Sequence, residues 1–363
     1  MPVRRSVRDD DATVVIRRPP PPRPGRRGPW LFGGGAAVLA VLLLAVWGLW
    51  LRPAPPPPLP PHVAPPAVTA PPAAAPPVAA PPVAAPPVAA PPVAAPPAPF
   101  TIATGDEVAI RDHVATALTV FRFAPDPRII VLDFPTLHQQ GAMLNRVAAL
   151  VEKAGLPHDR VLDDAALAAA IKAGGDTPDT YYYGHDYSAA ELARFFALAD
   201  AGHVALNAEE QKLRALLGEL GWFAPGATGG LITIPRAPQD QVAALDAAAR
   251  ATILHHELAH GLFFSDPGYA AYVRQFWLTA LTEPERAAIR KFLGSEGYDT
   301  ADEELMYNEA HAYLMFTADP RFCQAANLGM TTARRRQLAA VFLRGMPAGW
   351  LHDALAADLP TLR

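Results

Sequence analysis

One cysteine, Cys323, is the entire thiol content of this 363-residue sequence. An intramolecular disulfide and any cysteine-based zinc or iron–sulfur cage are thereby excluded, although a disulfide-free domain can sit on either side of a membrane. Excess positive charge is also missing. With 31 Lys and Arg against 35 Asp and Glu the formal charge is −4, which argues against a dedicated nucleic-acid binder, because phosphate neutralisation needs net positive surface. Proline is scarce only beyond residue 99: of 42 prolines, 29 come earlier and 13 serve the last 264 residues. Only that C-terminal stretch can bury a sizeable core. The 51% hydrophobic content is inflated by an Ala/Pro/Val tract and one long apolar run, so the chain does not divide into two average domains.

The N-terminal part reads as three pieces. Residues 1–29 form a basic cytoplasmic tail, in which eight arginines face Asp9, Asp10 and Asp11 and Pro19–Pro22 and Pro24 prevent a stable helix. Trp30 to Leu51 is 22 residues without a charge, about 33 Å as a helix and long enough to cross a bilayer. Trp30 at one end and Trp47 and Trp50 at the other suit the two interfaces. The long leader, the long apolar run and the prolines from Pro53 onward favour an uncleaved anchor over a signal peptide. Only Arg52 balances the eight arginines, so the basic side stays inside and the rest of the chain lies beyond the cytoplasmic membrane, in the periplasm.

Residues 52–99 carry 22 prolines and three successive PPVAA repeats at 81–95. Paired prolines leave polyproline II as the regular conformation, a semi-rigid spacer reaching up to roughly 145 Å. A basic tail, one anchor and a Pro-rich rod resemble the layout of TonB-type proteins, in architecture only. The rod is a spacer first, and a surface for contact with the envelope or cell wall second.

From residue 100 the sequence reads as one mainly α domain with a small sheet, an α+β arrangement. Arg128–Phe134 is predicted as a strand, followed by helices near 136–154 and 163–173. The loop TPDTYYYGHDY precedes a helix capped by Ser188 with Glu191 three residues on, and Asn207 caps another helix to Leu220. Residues 229–235 (GLITIP and its preceding Gly) are β-branched and predicted as a strand able to pair with an extended peptide. Helices are expected near 239–264, 267–281, 284–293, 301–316, 331–344 and 349–357, with Arg334, Arg335 and Arg336 on a solvated face.

The chemistry lies in ATILHHELAHGLFF, which holds His256-Glu257-Leu258-Ala259-His260. Residues four apart stack on one helix face, so both imidazoles can aim at one point and supply half of a tetrahedral zinc site. Glu257, one residue along, is placed to take a proton from an attacking water. The stripe Ala249, Thr252, His256, His260, Phe263 and the apolar stripe Leu254, Leu258, Leu262 bury the helix on both sides. Two histidines and a glutamate inside it would be costly without a cation. His255 points about 100° away and reads as structural or as a support behind the ligands, while Gly261 allows close helix approach.

A catalytic zinc needs a third ligand and an open position. Glu309, in NEAHAY, follows His260 by 49 residues. Here the sequence resembles the gluzincin metallopeptidases, in which a glutamate on a later helix completes the HExxH pair. Asn308-Glu309 with Ala312-Tyr313 is similar to the NExxAY form of that second helix, and the likeness spans roughly 240–320. It implies a zincin-like helical domain with His256, His260 and Glu309 as Zn2+ ligands and Glu257 as general base. Many gluzincins orient a histidine with an aspartate four residues past the ligand glutamate; Tyr313 stands there. Asp266 is a rival third ligand, but Asp266-Pro267 reads better as an N-cap with Pro at the first helical position. Glu303 and Glu304 are further rivals that a helix dipole explains as well. Tyr313 and His185 are the candidates for stabilising an oxyanion. The expectation is a membrane-anchored zinc peptidase acting on a peptide or protein. Two alternatives are a peptidoglycan amidase or endopeptidase and a non-catalytic envelope interaction protein. The latter would close a structural zinc with His185 or His311.

Overall fold

The computed structural model describes residues 100–238 and 245–363. The basic tail, the apolar run 30–51 and the Pro-rich stretch lie outside the described residues, as do 239–244. Among the described residues no helix is long and apolar enough to cross a membrane.

Five short strands make one mixed sheet: β1 (Ile102–Gly105), β2 (Thr119–Phe123), β3 (Ile129–Phe134), β4 (His185–Ser188) and β5 (Gly230–Pro235), in the order β1-β2-β3-β5-β4. β2 and β3 are antiparallel, as are β4 and β5, whereas β1–β2 and β3–β5 are parallel. The expectation that β5 offers its backbone to a peptide is corrected: β3 and β4 already bond both its edges, and the sheet edge beside it is β4. β4 falls inside the segment read as a loop.

Alternation along the strands sorts the core. Ile130, Leu132, Phe134, Leu231 and Tyr187 pack with α2 (Leu137–Val151) and α4 (Ala189–Ala201), while Ile129, Val131, Ile232 and Ile234 pack with α6 (Ala247–Ser265). Between them in sequence lie α1 (Glu107–Asp112), α3 (Asp164–Ala173) and α5 (Ala208–Glu219). The expected caps are present, Ser188–Glu191 and Asn207–Glu210 forming capping boxes on α4 and α5, and Asp163 proves to be the N-cap of α3 rather than its first residue. Where α6 crosses the sheet, a Cβ on Gly230 would lie 2.9 Å from the Gly261 carbonyl, and one on Gly261 would lie 2.8 Å from Ile129. The close approach foreseen for Gly261 therefore depends on a glycine pair, one from each layer.

After α6 the chain is helical. α7 (Pro267–Thr279), α8 (Glu283–Ser295), α9 (Glu303–His311), α10 (Thr332–Gly345) and α11 (Trp350–Asp358) share a second core with Trp277, Phe292, Tyr313 and Phe342. The helix expected over 301–316 is α9 followed by a π segment, Ala312–Phe316, the kind of irregularity that often marks a functional site. One expectation fails here. Arg335 is not on a solvated face but fully buried, and it donates to the carbonyls of Tyr313 (2.7 Å), Leu314 (3.0 Å), Thr317 (2.7 Å) and Cys323 (3.1 Å). The end of the π segment and the loop after it leave backbone oxygens without intrahelical donors, and a planar five-donor guanidinium collects them. Arg334 pairs with Glu285 instead.

Candidate metal centre

Helix α6 is fixed at its start. Asp246 caps it by accepting from Ala249 N–H, and Arg321 holds that carboxylate, pulling it down to about 2. Arg250, one turn in, makes a buried two-point pair with Asp133 of β3 at 2.9 and 2.8 Å and donates to the carbonyls of Pro235, Arg111 and Ile110. Helix, sheet and α1 are thereby registered before the first histidine is reached.

His256 and His260 follow, both with 0% exposure, and their Nε2 atoms lie 3.1 Å apart. The partners of the opposite ring nitrogens set the tautomers. Thr317 Oγ1 gives its proton to the Ala312 carbonyl (3.0 Å), so at 2.9 Å from His256 Nδ1 it can only accept. Asn308 Oδ1, an acceptor, lies 3.0 Å from His260 Nδ1, with an Asp186 oxygen 3.5 Å from the same atom. Both Nδ1 atoms are therefore placed to carry hydrogens, and in the neutral rings this leaves the two Nε2 atoms, 3.1 Å apart, as the lone-pair sites. That arrangement calls for positive charge beside them.

Glu309 faces this pair from α9. Its Oε2 is 4.0 Å from His256 Nε2 and its Oε1 is 3.8 Å from His260 Nε2, and it too is 0% exposed. Ligand atoms around tetrahedral zinc at about 2.0–2.1 Å are roughly 3.4 Å apart. The three separations here, 3.1, 3.8 and 4.0 Å, straddle that spacing. Two neutral imidazoles and one carboxylate are also a suitable donor set for zinc, so the residues fit the ion that the motif implies.

Glu257 turns to the β4 side. A Cβ placed on Gly184 would come within 2.7 Å of the Glu257 Cδ, so residue 184 must lack a side chain for that carboxylate to lie where it does. Glu257, Asp186 and His260 each bring a ligand-type atom within 4.8 Å of the others. Tyr313 sets its ring edge-on to His256, 4.8 Å between centroids, and is itself clamped by Phe292.

The expected residues are not all brought together. His256, Glu257, His260, Glu309 and Tyr313 meet. His185 does not join them: on β4 it shares the face of Tyr187, whose hydroxyl lies 2.9 Å from its Nδ1, and its ring packs on Tyr182 in the core beneath the opposite side of the sheet. Its neighbour Asp186, opposite Ile232 in register, takes the α6 face instead. Reading 185–188 as a strand would have exposed that alternation. Asp266 caps α7, accepting from Gly268 and Tyr269 N–H, with Pro267 at the first position. Glu303 is engaged by Trp277 and Arg290.

His311 is buried, which drives its pKa down to about 4, and its Nδ1–H is turned back onto the Asn308 carbonyl. His255 is structural as expected. Burial pulls its pKa down, but Asp358 at 2.9 Å and Glu107 at 3.3 Å outweigh that and raise it to about 9. Sequence reasoning missed Thr317, Asp186 and Gly184, none of which belongs to a spaced motif. The groups that face the two Nδ1 atoms are Thr317 and Asn308, not Tyr313. Comparison of the chain with protein-family models, with curated proteins and with solved structures gives no match in any of the three, so the reading of the centre rests on its own geometry.

Proposed function

We propose that the domain is a zinc-dependent hydrolase, most simply a peptidase, carried on a single membrane anchor with its catalytic face outside the cytoplasmic membrane. One observation carries the reading: two histidine Nε2 lone pairs and a glutamate carboxylate converge within 4.0 Å, beside a second buried glutamate. His256, His260 and Glu309 would hold the ion. A zinc ion held there supplies Lewis-acid activation of water and of the substrate carbonyl. Glu257 takes the proton of the attacking water and returns it to the departing amine. Tyr313, ring against His256, is the candidate to steady the developing oxyanion.

The closed, purely structural zinc site is the weaker reading. It needs a fourth ligand such as His185 or His311, and neither belongs to the convergent groups among the described residues. A peptide bond in protein and one in a peptidoglycan crosslink are both compatible with this centre. Glu257→Gln in the full-length, detergent-solubilised chain tests the reading. The variant is expected to keep its zinc and lose at least a hundredfold in cleavage of unstructured protein or muropeptides; undiminished turnover would overturn it.

A further inference from the structure

His256, Glu257, His260 and Glu309 are all 0% exposed, so a substrate must arrive through space that adjoins them. A cavity of about 230 Å³, between the end of α2, the start of α4, and helices α6 and α9, reaches them at one remove: none of the four lines it, but residues that touch His260 do. Two of its walls, Asp186 and Asn308, are the groups that face His260 Nδ1 at 3.5 and 3.0 Å. The other polar walls are Glu152, Glu191, Asp302 and Glu304, and no Lys, Arg or His is among the lining residues. Phe263, Phe264 and Leu305 supply apolar surface beside them.

The carboxylates do not converge as metal ligands would. Among the described residues, Glu152, Glu191, Asp302 and Glu304 belong to no group of three whose ligand atoms fall within 4.8 Å. Their spread around a mostly polar cavity with an apolar patch of Phe263, Phe264 and Leu305 suits a larger organic cation with a hydrocarbon stem. Glu191 reports the same electrostatics: burial lifts it to about 7 against the pull of Ser188, and the charges of Glu152 and Glu304 push it further up. An arriving cation would relieve that repulsion.

We infer that this cavity is the specificity pocket of the centre and receives a basic side chain, an ammonium or guanidinium on an aliphatic stem, from the peptide substrate. The inference rests on the peptidase reading and narrows it to substrates with a Lys- or Arg-like residue beside the scissile bond.

The test uses the full-length chain carrying Glu257→Gln, so that binding is read without turnover. Fluorescent peptides identical except for one Lys, norleucine or Glu are titrated by anisotropy. The Lys peptide is expected to bind about tenfold tighter than the norleucine peptide, and the Glu peptide weakest. Adding Glu191→Gln and Glu304→Gln should erase the Lys advantage, so that the Lys and norleucine peptides bind alike. Gln at 191 preserves the capping box, and the norleucine affinity shows that the double variant is folded. Equal binding of Lys and norleucine peptides, or a Lys advantage that survives both substitutions, would overturn the proposal. Hydrolysis by the Glu257-intact chain separates the two levels. Cleavage without Lys preference sinks the pocket alone, whereas Lys-selective binding without cleavage supports the pocket and sinks the hydrolase.

Discussion

Replacing Thr317 by Val removes one oxygen from the centre while nearly preserving side-chain volume. The oxygen does two things: it accepts from His256 Nδ1 at 2.9 Å and donates to the Ala312 carbonyl at 3.0 Å. Without it a buried Nδ1–H has no acceptor in that position, a desolvation cost of about 1–3 kcal/mol. The ring can escape the cost by moving its hydrogen to Nε2, which removes the lone pair a cation needs. Loss of such outer partners typically weakens metal affinity by about 10–100-fold, or about 1.4–2.7 kcal/mol, the same range reached from the hydrogen bond alone. Competition for zinc against a chromophoric chelator measures it directly. Thr317→Val should fall in that range, and Thr317→Ser, which keeps the hydroxyl, should recover most of the affinity. A folded Thr317→Val protein that binds zinc as tightly as the parent would refute the tautomer argument.

Three further outcomes follow from the same geometry. Gly184→Ala forces a Cβ to within 2.7 Å of the Glu257 carboxyl carbon, so it should lower turnover at least tenfold while zinc content, read by elemental analysis, stays at the parent level. Arg250→Met leaves the buried Asp133 carboxylate without its two-point partner, a loss of about 3–5 kcal/mol that chemical denaturation should show. Asp246, held at about 2 by Arg321 and by the Ala249 N–H, lies below its unfolded value near 4. Its contribution is therefore complete above pH 4 and lost as pH falls through about 2. Thermal melts from pH 6 to pH 2 should decline less steeply in Arg321→Met than in the parent.

The parts of this molecule that obey local rules were readable in advance. Ser188, Asn207 and Asp266 cap the helices they were expected to cap, because capping involves only the next three residues. The four-residue spacing of His256 and His260 likewise survives any tertiary context, since the helix itself puts both on one face. What depends on distant packing was not readable. β4 is HDYS, a polar tetrapeptide that becomes a strand only because β5 bonds it and α6 and α4 bury its two faces. For that reason Asp186, rather than His185, faces the centre. Arg335 sits in a run of three arginines, and which of three neighbours turns inward depends on where the π segment leaves its carbonyls. Thr317 lies 61 residues from the His256 that it orients, with no periodicity to connect them.

The central claim is that His256, His260 and Glu309 together bind one divalent cation. Zinc stoichiometry and affinity of the purified full-length chain, parent against Glu309→Gln, test it most directly, because glutamine keeps the volume of the side chain and removes its charge. The parent is expected to hold one zinc per chain and the variant to bind at least a hundredfold more weakly with its fold intact. A parent chain that takes up no zinc at saturating metal, or a variant that holds it equally well, would contradict the account.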